Sequence, residues 1–111
     1  TCHVTVGQDH CWSVFSDESW DAFMGKLKEL SYNEVKKLRA LFAYAADCEP
    51  DPQGRILLPA KLREYAGLTK EVVVVGSFDR AEIWSAERWA AIEDEAFSSG
   101  ALEQAMAEMG L

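Results

Sequence analysis

"VVVVGSFDRAEIWSAERW" (residues 72–89) has a near-copy at the start of the chain, "VTVGQDHCWSVFSDESW" (residues 4–20). Sliding the sequence over itself by 69 residues, without gaps, sets Val4 on Val73, Val6 on Val75 and Gly7 on Gly76. It also sets Ser16 on Ser85, Glu18 on Glu87, Trp20 on Trp89 and Ala22 on Ala91. These are seven identities in twenty positions, glycine and tryptophan among them, and Val14/Ile83 and Phe15/Trp84 keep their apolar character. A constant offset of this kind reads as a duplicated unit.

Both copies carry the same local instructions. A β-rich run ends at a glycine (Gly7, Gly76), a short turn follows, and a second strand ends in an aromatic (Phe15, Trp84). A serine then offers an N-cap, with acids in the first helical turn to suit the helix dipole (Ser16 with Asp17 and Glu18; Ser85 with Glu87). Trp20, Phe23, Met24 and Leu27 follow an i, i+3, i+4, i+7 spacing, and Trp89, Ile92, Ala96 and Phe97 nearly do. Such aromatic stripes are packing faces. A second helix follows the first: "SYNE" (31–34) is a capping box, with Val35, Leu38, Leu41, Phe42 and Ala45 as its apolar stripe. The tail "ALEQAMAEMGL" (101–111) reads as its counterpart, with Leu102, Ala105, Met106 and Met109 turned inward.

Between the copies lies "DPQGRILLPAKLREYAGL" (51–68). Asp51, Pro52 and Gly54 suit positions i, i+1 and i+3 of a type I turn. The turn would join a strand at 46–49 to a strand "RILLP" (55–59). Pro59 then opens a short helix, where its missing N–H costs nothing, and Gly67 stops it. One unit therefore reads β-turn-β-helix-β-β-helix-helix. The expected division is a remainder of the first repeat over 1–45 (strands within 3–15, helices 17–30 and 32–45) and a complete second repeat over 46–111. The turn-and-helix segment occurs once, and its counterpart 69 residues earlier falls ahead of Thr1. A leading segment of roughly 20 to 30 residues is the expectation from that arithmetic. A degenerate first repeat is the alternative.

With 111 residues, a 49% hydrophobic share, 4 Trp, 3 Tyr and 5 Phe, the chain suits one domain or two very small ones and not a disordered segment. No apolar run approaches the roughly 20 residues that span a bilayer, so no membrane partner is expected. Three widely spaced cysteines (Cys2, Cys11, Cys48) do not make a disulfide scaffold and favour a reduced, cytoplasmic setting. Zinc on Cys2, His3, His10 and Cys11 would lack the usual ligand spacings, and those residues read as strand and turn positions. No metal or cofactor is expected. The net charge of −8 speaks against nucleic acid on its face, but its distribution is uneven. Residues 87–111 hold six acids and one arginine. Residues 55–63 hold Arg55, Lys61 and Arg63 with no acid, and residues 26–39 hold five bases and two acids. The basic face of 26–39 reads as solvated, or as a contact with the acidic tail of a neighbouring copy. G-x-S-x-G, H-E-x-x-H and P-loop patterns are absent, and Glu93, Asp94 and Glu95 fan around a helix, so no enzyme is expected.

Arg55 follows the turn glycine, where it would reach phosphate or fork to a guanine edge. It would equally form an intraturn pair with Asp51 that only shapes the hairpin. Lys61 is read as a DNA-backbone contact; Arg63 offers a phosphate contact, but bracing the hairpin from behind is its favoured role.

Asp51, Gly54, Arg55, Pro59 and Arg63 form a D-x-x-G-R-x-x-x-P-x-x-x-R pattern. With "REYAGL", "VVVVG", "EIWSAERW" and the Ala- and Glu-rich tail, it resembles the MraZ family, of the AbrB-like swapped-hairpin class, over practically the whole chain. The resemblance implies an α+β fold with a mainly β core, peripheral helices and two β-hairpin units related by a pseudo-twofold. It further implies a nucleoid-associated bacterial transcription regulator of the division and cell-wall gene cluster. Such proteins bind promoter DNA at direct repeats as homo-oligomeric rings, normally with two D-x-x-x-R elements per subunit; this sequence carries one. Two other readings stay open: a ring-forming structural or adaptor protein without a DNA role, and an AbrB-like antitoxin.

Overall fold

A computed structural model of the chain describes residues 1–68 and 71–111. Five strands form one antiparallel sheet: β1 (Cys2–Val6), β2 (Trp12–Phe15), β3 (Ala46–Cys48), β4 (Val72–Ser77) and β5 (Arg80–Ser85), in the order β3-β1-β2-β5-β4. Six helices accompany them: α1 (Asp17–Lys28), α2 (Tyr32–Lys37), α3 (Arg39–Ala43), α4 (Ala60–Ala66), α5 (Ala86–Ser98) and α6 (Ala101–Glu108). The α+β class expected from the sequence is the one found.

Register sorts the side chains into two faces. Val4 lies opposite Val14 and Ala46, and Trp12 lies opposite Val6 and Ile83. On this face α4 lays down Leu62 and Ala66, which complete a buried cluster with Val4, Trp12, Cys48 and Ile83. The indole N–H of Trp12 donates to the Leu62 carbonyl and ties sheet to helix. The other face carries His3, Phe15 and Trp84. Phe15 stacks on Phe23 and meets Trp20 edge-on, and Trp84 packs on Trp89 of α5. The strand-turn-strand-helix order appears twice. At the middle of the sheet Ser13 pairs with Glu82, 69 positions further on.

The caps fall where the sequence puts them. The Ser16 and Ser85 hydroxyls accept from the N–H groups of Ser19 and Arg88. Ser31 and Glu34 close a reciprocal capping box. Gly67 adopts φ 64°, its N–H bonds Glu64 O, and the Leu68 N–H bonds Arg63 O, a Schellman stop.

Three expectations need correction. The helix expected over 32–45 is two short ones, because Leu38 leaves helical geometry (φ −100°, ψ 13°). The Thr5 hydroxyl donates to Leu41 O at 2.6 Å and holds the second piece against β1. The strand expected at 55–59 is not formed. Ile56 and Leu58 turn toward the core while Leu57 is 89% exposed, the alternation of a strand, but no described strand lies beside it. Pro59 also has no N–H to offer a ladder. Finally, the stripe on the tail is not inward. Leu102, Met106 and Met109 are exposed, as are Ile92 and Phe97 of α5, and α6 packs chiefly on α5.

Candidate nucleic-acid interface

The turn at 51–55 is built from one carboxylate outward. Asp51 Oδ1 accepts from the backbone N–H of Gln53 (2.9 Å) and of Arg55 (2.8 Å). Oδ2 accepts from Arg55 Nε at 2.8 Å. The Asp51 N–H donates to Arg55 O at 2.7 Å and the Gly54 N–H to Asp51 O at 2.9 Å. Gly54 stands at φ 81°, where an L side chain would be strained. This is the type I turn read from the sequence, closed by a left-handed glycine as in a three-residue hairpin loop. The Arg55 N–H, then its guanidinium and the Gln53 N–H, hold the Asp51 carboxyl below the usual carboxylate range, against a smaller opposing effect of burial.

Of the two sequence readings of Arg55, the intraturn pair with Asp51 is formed. The Arg55 Nε is engaged by Asp51, while the side chain is 73% exposed. The bond at Nε restrains the guanidinium, and among the described residues neither Nη group makes a hydrogen bond or ion pair, so both stay free for the fork that suits a phosphate or a guanine edge.

The other predicted contacts lie on α4. Lys61 is exposed, its ammonium 5.7 Å from the centre of the Tyr44 ring. Arg63 is exposed beside a shallow cavity of about 370 Å³, lined also by Ala60, Glu64, Gly67 and Leu68. Among the described residues its guanidinium makes no hydrogen bond or ion pair to the turn, so no bracing by charge appears. Pro59 ends the extended segment immediately before α4.

A family model described as "MraZ protein, putative antitoxin-like" matches residues 41–109. A protein of Lachnoclostridium phytofermentans named Transcriptional regulator MraZ is 52% identical over 88 residues, which are 78% of this chain and 62% of that protein. The protein of the same name from Symbiobacterium thermophilum is 48% identical over 96 residues, 84% of this chain and 70% of that protein. The one from Caldicellulosiruptor saccharolyticus is 44% identical over 112 residues, 97% of this chain and 78% of that protein. The chain belongs to the MraZ family. The first of these alignments spans 62% of the relative's length.

Within this MraZ chain two clusters escaped the sequence reading. His3 places Nδ1 2.7 Å from Asp47 Oδ1 and Nε2 2.6 Å from Asp17 Oδ1, and its ring stacks on Trp20. It clamps β1 to β3 and to the start of α1. Arg88 Nη1 donates to the carbonyls of His10 (3.3 Å) and Tyr65 (3.4 Å), and Tyr65 Oη donates to Gly7 O at 3.0 Å. This knots the 7–11 turn, α4 and α5 together. Arg88 had one signal in the sequence, a charge standing where the first copy has Ser19. His3 had none, because its partners come from register. Of the four residues weighed for zinc, His3 is held by two aspartates and His10 lies against Tyr65.

Proposed function

We propose that this chain is a DNA-binding transcription regulator, not an enzyme, which contacts DNA through the Asp51–Arg55 turn, with Lys61 and Arg63 of α4 contributing phosphate contacts. The observation that carries the reading is the Asp51 carboxylate holding Arg55 by Nε, on a side chain 73% exposed whose Nη groups make no hydrogen bond among the described residues. An arginine engaged by all its donors would only shape the turn. Family membership supports the same reading, since the relatives are named transcriptional regulators. Among the described residues no helix is long and apolar enough to cross a membrane.

The finer proposal has the protein act in the cytoplasm at the nucleoid, on direct repeats in the promoter of the division and cell-wall gene cluster, as a ring-like oligomer presenting several turns together. Presentation of several weak contacts on one body multiplies their effect. We also read residues 1–45 and 46–111 as two repeats. The Ser13–Glu82 pairing supports this, because a local twofold between copies offset by 69 residues would bring those two positions opposite each other.

Binding to promoter direct-repeat DNA, followed by fluorescence anisotropy at rising salt, tests the reading. Log affinity should fall linearly with log salt, by about 0.9 for each phosphate neutralised. Affinity that ignores salt, or equals that for unrelated DNA, would favour the adaptor reading.

A further inference from the structure

We propose that Cys2 and Cys48 form a reversible disulfide across β1 and β3, which fixes the strand leading into the Asp51–Arg55 turn. The two residues are direct register partners in the antiparallel ladder. Opposed residues in such a ladder stand about 4.5 to 5.5 Å apart between Cα atoms. That lies inside the roughly 4.4 to 6.8 Å that a disulfide spans. Opposed side chains share a face, and here both meet the same core, with Cys48 in the buried cluster and Cys2 packed against it. Both thiols are free.

Access and chemistry give the two cysteines different roles. Cys2 is half-buried and reachable. Cys48 is buried, but it borders a cavity of about 260 Å³ lined also by Asp47, Glu49, Leu57 and Pro59. Burial first, then the charge of Cys2 and Asp47, pushes the Cys48 thiol up. Cys2 is therefore the attacking thiol and Cys48 the resolving one. With a low-molecular-weight disulfide such as glutathione disulfide as oxidant, the Cys2 thiolate attacks one sulfur. A mixed disulfide forms and one glutathione thiol leaves. Cys48 then attacks the Cys2 sulfur, loses its proton and expels the second glutathione thiol. Two protein thiols are oxidised to one disulfide, and one glutathione disulfide is reduced to two thiols. The third cysteine stays out. Burial, with Glu82 and Asp9 nearby, pushes the Cys11 thiol up to about 12, and its S–H donates to Gln8 O.

The bridge would alter how β3 holds the segment beyond the turn. In the dithiol form the Cys48 S–H donates to Leu57 O at 3.7 Å, a direct tie between β3 and that segment. Oxidation removes that hydrogen and joins β3 covalently to β1. Any consequence for DNA binding rests on the function proposed above; the disulfide does not.

The test is non-reducing peptide mapping of the full chain after incubation with glutathione disulfide and alkylation of remaining thiols. The expected result is a Cys2 peptide joined to a Cys48 peptide within one chain, Cys11 alkylated, and the link reversed by dithiothreitol. The link should vanish in Cys2→Ser and in Cys48→Ala. Separate alkylation of Cys2 and Cys48, a Cys2–glutathione adduct that never resolves, or a link to Cys11 or between two copies would overturn the proposal.

Discussion

Both carboxylate oxygens of Asp51 are taken up by the turn it opens, so charge and geometry make opposite predictions for its removal. On charge alone, removing an acid beside the arginine proposed to contact DNA would tighten binding. The hydrogen bonds say that Asp51→Ala releases the Arg55 guanidinium from its fixed plane and loosens the turn, so promoter affinity should drop. Anisotropy titrations of Asp51→Ala against wild type at one salt concentration distinguish the two. His3 supplies a pH prediction. The hydrogen bond to Asp17 foremost, then Asp47, raises its pKa above the ordinary 6.5 despite the opposing effect of burial. Stability from this clamp is therefore complete below about pH 6.5 and is lost as pH rises through the raised folded value. Asp17 is lowered below its ordinary 3.8 by the same bond, so its share is present above 3.8 and lost as pH falls through the lowered value. Melts of wild type and His3→Gln should differ more at about pH 5.5 than at about pH 8.5. An equal difference at both would show that the clamp contributes no pH-dependent stability.

Elements set by neighbours in sequence were legible. The serine caps, the capping box, the 51–55 turn and the Gly67 stop each depend on contacts a few residues apart, and each formed where the residue types demanded. Gly67 offers a measure of this. At φ 64° an alanine would be strained, and its Cβ would lie 3.0 Å from Arg88 Nη2. Gly67→Ala should cost about 1 to 2 kcal/mol in urea unfolding, the usual penalty for an L residue in left-handed backbone. No loss would show that the Schellman stop is dispensable. What was not legible depends on partners far along the chain. The alternation of Ile56, Leu57 and Leu58 marks a strand, yet a strand exists only with a neighbour, and none is described there. Leu38 breaks the 32–45 helix within an unbroken apolar stripe, where the Thr5–Leu41 bond holds the second piece to β1. Arg55 was legible as a turn residue, and its Nε pairing followed from the spacing to Asp51, whereas the Arg88 knot and the His3 clamp required the register of the finished sheet.

At the scale of the molecule, the unfilled requirement is cover for apolar surface. Phe97 is 69% exposed, and Val72, Val74, Leu102, Met106 and Met109 are exposed with it. Lone apolar side chains on a surface are ordinary, but faces repeated along two helices and an edge strand seek partners. Sedimentation at micromolar concentration should therefore show a species heavier than the 12.4 kDa chain; a clean monomer would contradict this. Superposing residues 4–23 on 73–92 tests the repeat, and failure of the two hairpin-helix segments to overlay would end that reading. The central claim is that the Asp51-held Arg55 is the DNA contact, and the most direct measurement is the promoter affinity of Arg55→Ala, at fixed salt, with the oligomer verified intact. The expected result is a loss of roughly 5- to 150-fold, the worth of a bidentate base contact, together with a shallower salt dependence. Unchanged affinity and unchanged salt slope would contradict it.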